Sequence, residues 1–454
     1  MKIRLLSFVY FVIISQNIFS QTIPKDWFVK DPKADSLAGI SLQKAYQLLK
    51  GRKSKPVIVA VIDNGVDINH EDLRKNIWTN LKEIPGNGID DDHNGFIDDI
   101  HGWNFRGAKD GSVIENEQNG STQLYVQWKN NYDSTDKNKW QIYNKAKKQY
   151  LENLNSKDSL DVKFAYNSYY DSWKLIANDS EGSLNQFYGS PEWKLSKNLS
   201  HGTHVAGIIA AERNNNKGID GIADNVLIMP IIATTAGGDE RDKDIANAIL
   251  YAVNNGARII NMSFSKTFSS DKELVDHAIR YAEKKGVLII HAAGNDGVNI
   301  DSAENYHYPV AIAEDGHRAT NFITVGWNRP LFDFRLAHPY GDYGKINVDL
   351  YAPGSDIYST IPGNGYDEKS GSSMSAPVVS GVAALLFSYF PKLTAKEVKE
   401  ILLQSTYKPD QLVNKPQTKI PVPFNSLSVS GGIVNAYNAI ELALQMTKKE
   451  KRKS

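Results

Sequence analysis

The sequence predicts an α/β fold, a three-layer sandwich with a mostly parallel central sheet flanked by helices. Three observations lead there. Apolar runs rich in β-branched residues recur along the chain: VIVAVID (57–63), VLIMPIIAT (226–234), ARIINMSFS (257–265), VLIIHAA (287–293) and NFITVGW (321–327). They are near-continuously apolar, as strands buried on both faces must be. Amphipathic helical patterns stand between them at 242–255 and 271–285, the alternation expected of parallel strands joined by crossover helices.

The elements follow in order. Lys2 and Arg4 precede the apolar run LLSFVYFVII, and small Ser20 precedes Gln21. The run is too short to span a bilayer but suits a signal peptide over 1–20. Export is therefore expected, to an extracellular or periplasmic location. Residues 21–55 read as a short polar extension with one helical patch, ISLQKAYQLLKG. No room is expected there for a large folded propeptide, so folding assistance and latency are expected to come from elsewhere or to be unnecessary.

The main domain is expected over 56–445. Its first strand ends in Asp63, and Asn64-Gly65 turns the chain. An acid at the end of an apolar strand is costly unless something pairs with it. Residues 106–199 break the pattern: Lys, Asn, Asp, Tyr and Trp replace the apolar runs. Helical signal over 122–155 carries an aromatic stripe of Trp128, Trp140, Tyr143 and Tyr150. The segment reads as a partly helical surface insertion that packs its own aromatics. A lid is the sharper alternative, because the segment leaves and rejoins the core between Asp63 and His201.

HGTHVAGIIAAE (201–212) sets His201 before Gly202 and a small-residue helix. VLIIHAAGNDG (287–297) is a strand running into small residues and Asn295. GSSMSAP (371–377) puts Ser373 at the start of a helical pattern, where unpaired N–H groups and the dipole favour an anion. Helices over about 373–390, 394–405 and 431–445 close the domain. Residues 446–454 read as a basic tail.

Serine is a poor nucleophile without a base and a place for negative charge. Asp63, His201 and Ser373 offer the parts: an acid to orient the histidine, a base to take the proton, and the hydroxyl. VAVIDNG, HGTHVAG and GSSMSAP resemble the three signature blocks of the subtilisin-like serine proteases, the subtilases, over residues 38–105 and 200–445. The order Asp, His, Ser is that family's order. His204 lies in the second block but is not the matching histidine. Ser372 stands where the family commonly has threonine and Ser375 where it commonly has alanine; both stay small. Ser375 also rules out the GxSxG elbow of α/β-hydrolases.

The resemblance implies a secreted serine endopeptidase acting through an acyl-enzyme on protein or peptide substrates. It implies Asp63, His201 and Ser373 as catalytic and Asn295 as oxyanion donor. Substrate is expected to pair along Ser263, Phe264 and Ser265. Ala292, Ala293 and Gly294 would form the opposite wall of the specificity pocket. Ser265 departs from the glycine the family often has and would narrow that pocket or shift the strand. Other readings fit the same residues: an inactive subtilase fold used as a binding scaffold, a dedicated precursor-processing protease, or an esterase.

GIDDDHNGFIDD (88–99) alternates oxygen ligands, with Asp90, Asp92 and Asn94 followed by Gly95 and Asp98. The spacing resembles the first nine positions of an EF-hand loop, without its closing Glu. A structural Ca2+ is expected there. Asp72 matches a position that serves calcium in many subtilases, with Asn214 and Asn215 in the loop that joins it. No metal is expected in the chemistry.

Composition bounds the partners. Lys and Arg total 52 and Asp and Glu total 52, so nothing in bulk charge suggests nucleic acid or an anionic membrane. With no cysteine there are no disulfides, no thiol nucleophile and no cysteine zinc site. No membrane segment is expected after signal cleavage, and a monomer is expected.

Overall fold

The structure is a computed structural model that describes residues 23–106, 120–129, 136–155, 188–191, 198–234 and 239–451. The expected signal segment 1–20, the end of the expected tail and much of the 106–199 insertion lie outside the described residues.

Strand β1 (Val57–Asp63) is the third strand of a seven-stranded sheet. Its neighbours are β3 (Val226–Ile232) and β4 (Ile259–Met262), and both pairings are parallel. The sheet continues through β5 (Leu288–Ala292), β6 (Phe322–Asn328) and β7 (Leu350–Pro353). On the other side, β2 (Trp103–Asn104) pairs with the end of β3. Beyond the sheet, β8 (Ile357–Ile361) and β9 (Gly365–Lys369) form an antiparallel hairpin just before the Ser373 block.

The two faces of β1 feed two cores. Val57, Val59 and Val61 join Val205, Ile208 and Ile209 of the Ser200–Ala210 helix, with Val378, Val382 and Leu385 of the Ser372–Tyr389 helix. Ala60 and Ile62 join the Asp242–Asn254 and Lys272–Lys285 helices through Ile245, Ile249, Val275 and Ile279. Side chains on a strand alternate between faces, so an apolar run supplies both layers at once. This is the expected three-layer sandwich.

Parallel strands deliver their carboxyl ends to one edge of the sheet, where loops of α/β folds bind ligands. Asp63 ends β1, Ser263 follows β4, and Asn295 follows β5 by three residues. The closing helix Ala436–Lys451 runs past residue 445, so the expected tail begins as helix.

Among its described residues the insertion contributes two helices, Gly120–Trp128 and Lys137–Asn155. Leu124, Tyr143 and Ala146 pack with Phe268 of the main domain, and Tyr125 stacks on Tyr143 and Tyr150. Trp140, expected in the aromatic stripe, is exposed.

Candidate active site

Asp63 is 2% exposed at the end of β1. The His201 ring points Nδ1 at its carboxylate, 2.8 Å from Oδ1 and 3.0 Å from Oδ2. The two segments meet closely because Gly202 has no side chain: a Cβ there would lie 2.2 Å from the Gly65 carbonyl oxygen. The Gly202 N–H donates to Asn64 Oδ1 at 3.0 Å, tying the helix start to the turn after β1. Asn64 is thus a positioning contact that the motif reading passed over.

Burial disfavours the charged form of His201, but the Asp63 carboxylate outweighs it, and the ring pKa is raised above its ordinary 6.5. Lys369 opposes this and Glu240 adds to it. His204, one turn on, behaves differently. Burial pushes it down to about 4, and its Nε2 meets the Asp367 carbonyl at 3.1 Å. It joins the helix to the β8–β9 hairpin, as a neutral structural ring.

Ser373 is half-buried in the first turn of the Ser372–Tyr389 helix, after Gly371 at φ 144°. Its N–H is among the four at a helix start that lack a carbonyl within the helix. Ser263 Oγ donates to the Ser373 carbonyl at 2.8 Å and accepts from Asn261 Nδ2 at 2.8 Å. Ser380 Oγ closes the chain by donating to Asn261 Oδ1 at 2.8 Å. These buried bonds set the serine helix against the end of β4. Among the described residues no hydrogen bond joins His201 to Ser373. Such bonds often tighten only when substrate binds.

Asn295 is exposed at the same edge. Its Oδ1 accepts the Ser372 N–H at 2.9 Å. The side chain therefore lies against the serine block with its NH2 group unclaimed by that bond.

The expected substrate residues divide. Ser263 is buried with its hydroxyl turned inward, whereas Phe264 and Ser265 are half-buried. Phe264 meets His291 edge-on, with ring centroids 6.4 Å apart. Ala292, Ala293 and Gly294 are buried, and His307 lies against the last two, a neighbour no motif marked.

The acidic loop holds a three-carboxylate group, Glu83, Asp90 and Asp92, whose nearest oxygens lie within 4.8 Å of one another. Such a hard oxygen set suits Ca2+. Glu83 was not among the expected ligands. Asp98 has its oxygens engaged by the Gly86 and Gly88 N–H groups, at 2.7 and 3.0 Å. Asn94 Oδ1 accepts from the Phe96 N–H at 2.8 Å. Asp72 is fully buried and accepts from Asn215 Nδ2 at 2.6 Å and the Tyr366 hydroxyl at 3.3 Å. Both Asp72 oxygens thus already have protein donors. Phe96 packs edge-on against Trp103 and Tyr251, which anchors the loop to the core.

Comparisons with known proteins agree with this architecture. A family model described as "Subtilase family" matches residues 54–421. Subtilisin-like protease 1 of Plasmodium falciparum (isolate 3D7) is 26% identical over 417 residues, covering 90% of this chain and 46% of that protein. Thermophilic serine proteinase of Bacillus sp. (strain AK1) is 40% identical over 189 residues, 42% of this chain and 43% of that protein. The chain spans about half the length of these curated relatives. Among solved structures, a protease from Pseudoalteromonas arctica PAMC 21717 matches over 92% of this chain and 97% of its own, with 22% identity and a TM-score of 0.52, a likeness of fold. With the family model spanning most of the sequence, the chain belongs to the subtilase family.

Proposed function

We propose that this chain is an exported serine endopeptidase that hydrolyses peptide bonds through an acyl-enzyme. The observation that carries the reading is the Asp63–His201 pair at 2.8 Å, at the sheet edge where the Ser373 helix begins. With Nδ1 held by Asp63, Nε2 is the nitrogen left to accept a proton. As Ser373 Oγ bonds to the substrate carbonyl carbon, its proton passes to His201 Nε2. The carbonyl oxygen becomes an oxyanion, received by the Asn295 NH2 group and the Ser373 N–H. Collapse breaks the C–N bond, and His201 gives its proton to the leaving amine. Water then attacks the acyl carbon, losing a proton to His201; the Ser373 Oγ–C bond breaks, and His201 passes that proton to Ser373 Oγ as the acid leaves.

Substrate would lie extended beside Phe264 and Ser265, adding a strand to the exposed backbone after β4. Residues 56–445 would form the catalytic domain, with 106–199 as its insertion and 1–20 as a removed leader. A Ca2+ ion held by Glu83, Asp90 and Asp92 would brace the loop after β1 by relieving repulsion among the carboxylates, apart from the chemistry. A further cation at Asp72 would displace Asn215 or the Tyr366 hydroxyl from its carboxylate.

The test is labelling of Ser373 by a fluorophosphonate probe, lost in Ser373→Ala. A folded wild-type protein that takes up no label would favour the binding-scaffold reading. Cleavage at many sites across a denatured proteome is expected of a general endopeptidase; one or a few sites would indicate dedicated processing.

A further inference from the structure

The segment carrying Asn295 is held by a buried ion cluster that the reaction itself does not use. His307 is 6% exposed. Its Nδ1 bonds the carbonyl oxygen of Ala293, two residues before Asn295, at 3.0 Å. Asp342 Oδ2 lies 2.8 Å from the same nitrogen. That is a charge contact, because the hydrogen is aimed at the carbonyl and Asp342 Oδ2 has no aligned donor. His307 Nε2 lies 3.1 Å from Asp296 Oδ2, on the residue just after Asn295.

Asp342 completes the hold. Its Oδ1 accepts the N–H groups of Asp296 at 3.2 Å and Val298 at 2.8 Å, and its own N–H donates to the Gly294 carbonyl at 3.4 Å. Asn295 is thus flanked on both sides by backbone bonded to His307 or Asp342. Gly294, at φ +117°, permits the approach: a Cβ there would lie 2.0 Å from His307 Nδ1 and 2.2 Å from Asp342 Oδ2.

We propose that His307, together with Asp342, is a positioning residue that clamps the 293–298 segment and sets where the Asn295 amide points. This rests on the assignment of Asn295 as oxyanion donor. A donor works only when held close to the productive geometry, and a buried ion cluster is stiffer than a solvated loop. Burial alone would discharge the imidazole, but the two carboxylates raise its pKa to about 10, so the clamp stays charged through neutral pH.

The test is steady-state hydrolysis of a peptide amide by variants made in both the wild-type and Asn295→Ala backgrounds. The main variant is His307→Gln paired with Asp342→Asn, which removes both buried charges together instead of stranding one. We expect kcat to fall about 10–100-fold with KM little changed, the scale of a misplaced catalytic group. In the Asn295→Ala background the same change should cost almost nothing, because the group being positioned is gone. Equal losses in both backgrounds, or full kcat in the folded paired variant, would overturn the clamp. Asp296→Asn, at an exposed side chain, gives the same pattern at smaller amplitude should the paired variant not fold. Full kcat in Asn295→Ala alone would remove the oxyanion assignment itself, and the clamp with it.

Discussion

Asn295 accepts the Ser372 N–H on its side-chain oxygen at 2.9 Å, so the residue that would receive the oxyanion is oriented by the neighbour of the nucleophile. Asn295→Asp keeps an acceptor for Ser372 but loses the donor. It should lower kcat by about 10²–10³, a figure that belongs to subtilisin, a member of the same family. Its melting temperature should stay near the wild-type value. Asn295→Ala loses both functions and should lose stability as well, by about 1 kcal/mol. Kinetics and thermal melts on the two variants check this; matching stability losses would argue against the orienting bond.

The pH profile follows from His201. Only the neutral ring can take the Ser373 proton, and its pKa lies above 6.5. Activity measured as kcat/KM should therefore be high at alkaline pH and fall through a midpoint above 6.5 as pH drops. Folding stability runs the other way. A raised folded-state pKa contributes stability that is fully present below the unfolded value and is lost as pH rises through the folded one. Asp63→Asn should move the activity midpoint down and cut kcat by about 10⁴, by removing both the charge and the control of tautomer. A wild-type midpoint below 6.5 would contradict the Asp63–His201 coupling.

Calcium should stabilise the protein through the loop after β1. EDTA should lower the melting temperature and added Ca2+ restore it. Glu83→Gln should weaken that response, since Glu83 is one of the three converging carboxylates. Asp98→Asn should leave calcium affinity nearly intact, because Asp98 is not one of the three carboxylates that converge. Melting curves across a calcium titration separate the two variants. A larger loss of response in Asp98→Asn than in Glu83→Gln would reverse the ligand assignment.

How far the sequence could be read depended on whether the signal was local. The β1 run was legible residue for residue, 57–63, because six apolar residues feed two cores and Asn64-Gly65 ends the strand. The two-residue β2 and the polar GYDEK of β9 carry no periodicity to detect. Asp63, His201, Ser373 and Asn295 each sit in a compact motif. His307 and Asp342 do not: their contacts come from 293, 296 and 298, and only the packing of distant segments brings them together. Glu83, whose carboxylate converges with Asp90 and Asp92, precedes the alternating loop and so carries no spacing signal. Asp98 has a ligand's spacing, and its carboxylate accepts the Gly86 and Gly88 N–H groups outside the three that converge.

The insertion should restrict which substrates reach the cleft. Its helix Gly120–Trp128 bonds outward: Gln123 Nε2 to the Asp239 carbonyl at 2.9 Å, Gln127 Nε2 to Asp271 at 2.7 Å, and Trp128 Nε1 to the Ser270 carbonyl at 3.2 Å. Lys145 of the second helix donates to the Glu304 carbonyl. The segments it meets neighbour the proposed site along the chain: 266–271 continues directly from Ser265, Glu304 lies between Asn295 and His307, and Asp239 precedes Glu240. A helical pair seated there would crowd a folded protein more than a small ester. Truncating the joint contact, Leu124→Ala with Phe268→Ala, should cost about 2–5 kcal/mol for each large side chain removed, concentrated in that local cluster. Ester turnover should change little, and cleavage of a folded protein substrate should rise. If both activities shift by the same factor, the helices act on stability alone and the steric role is lost.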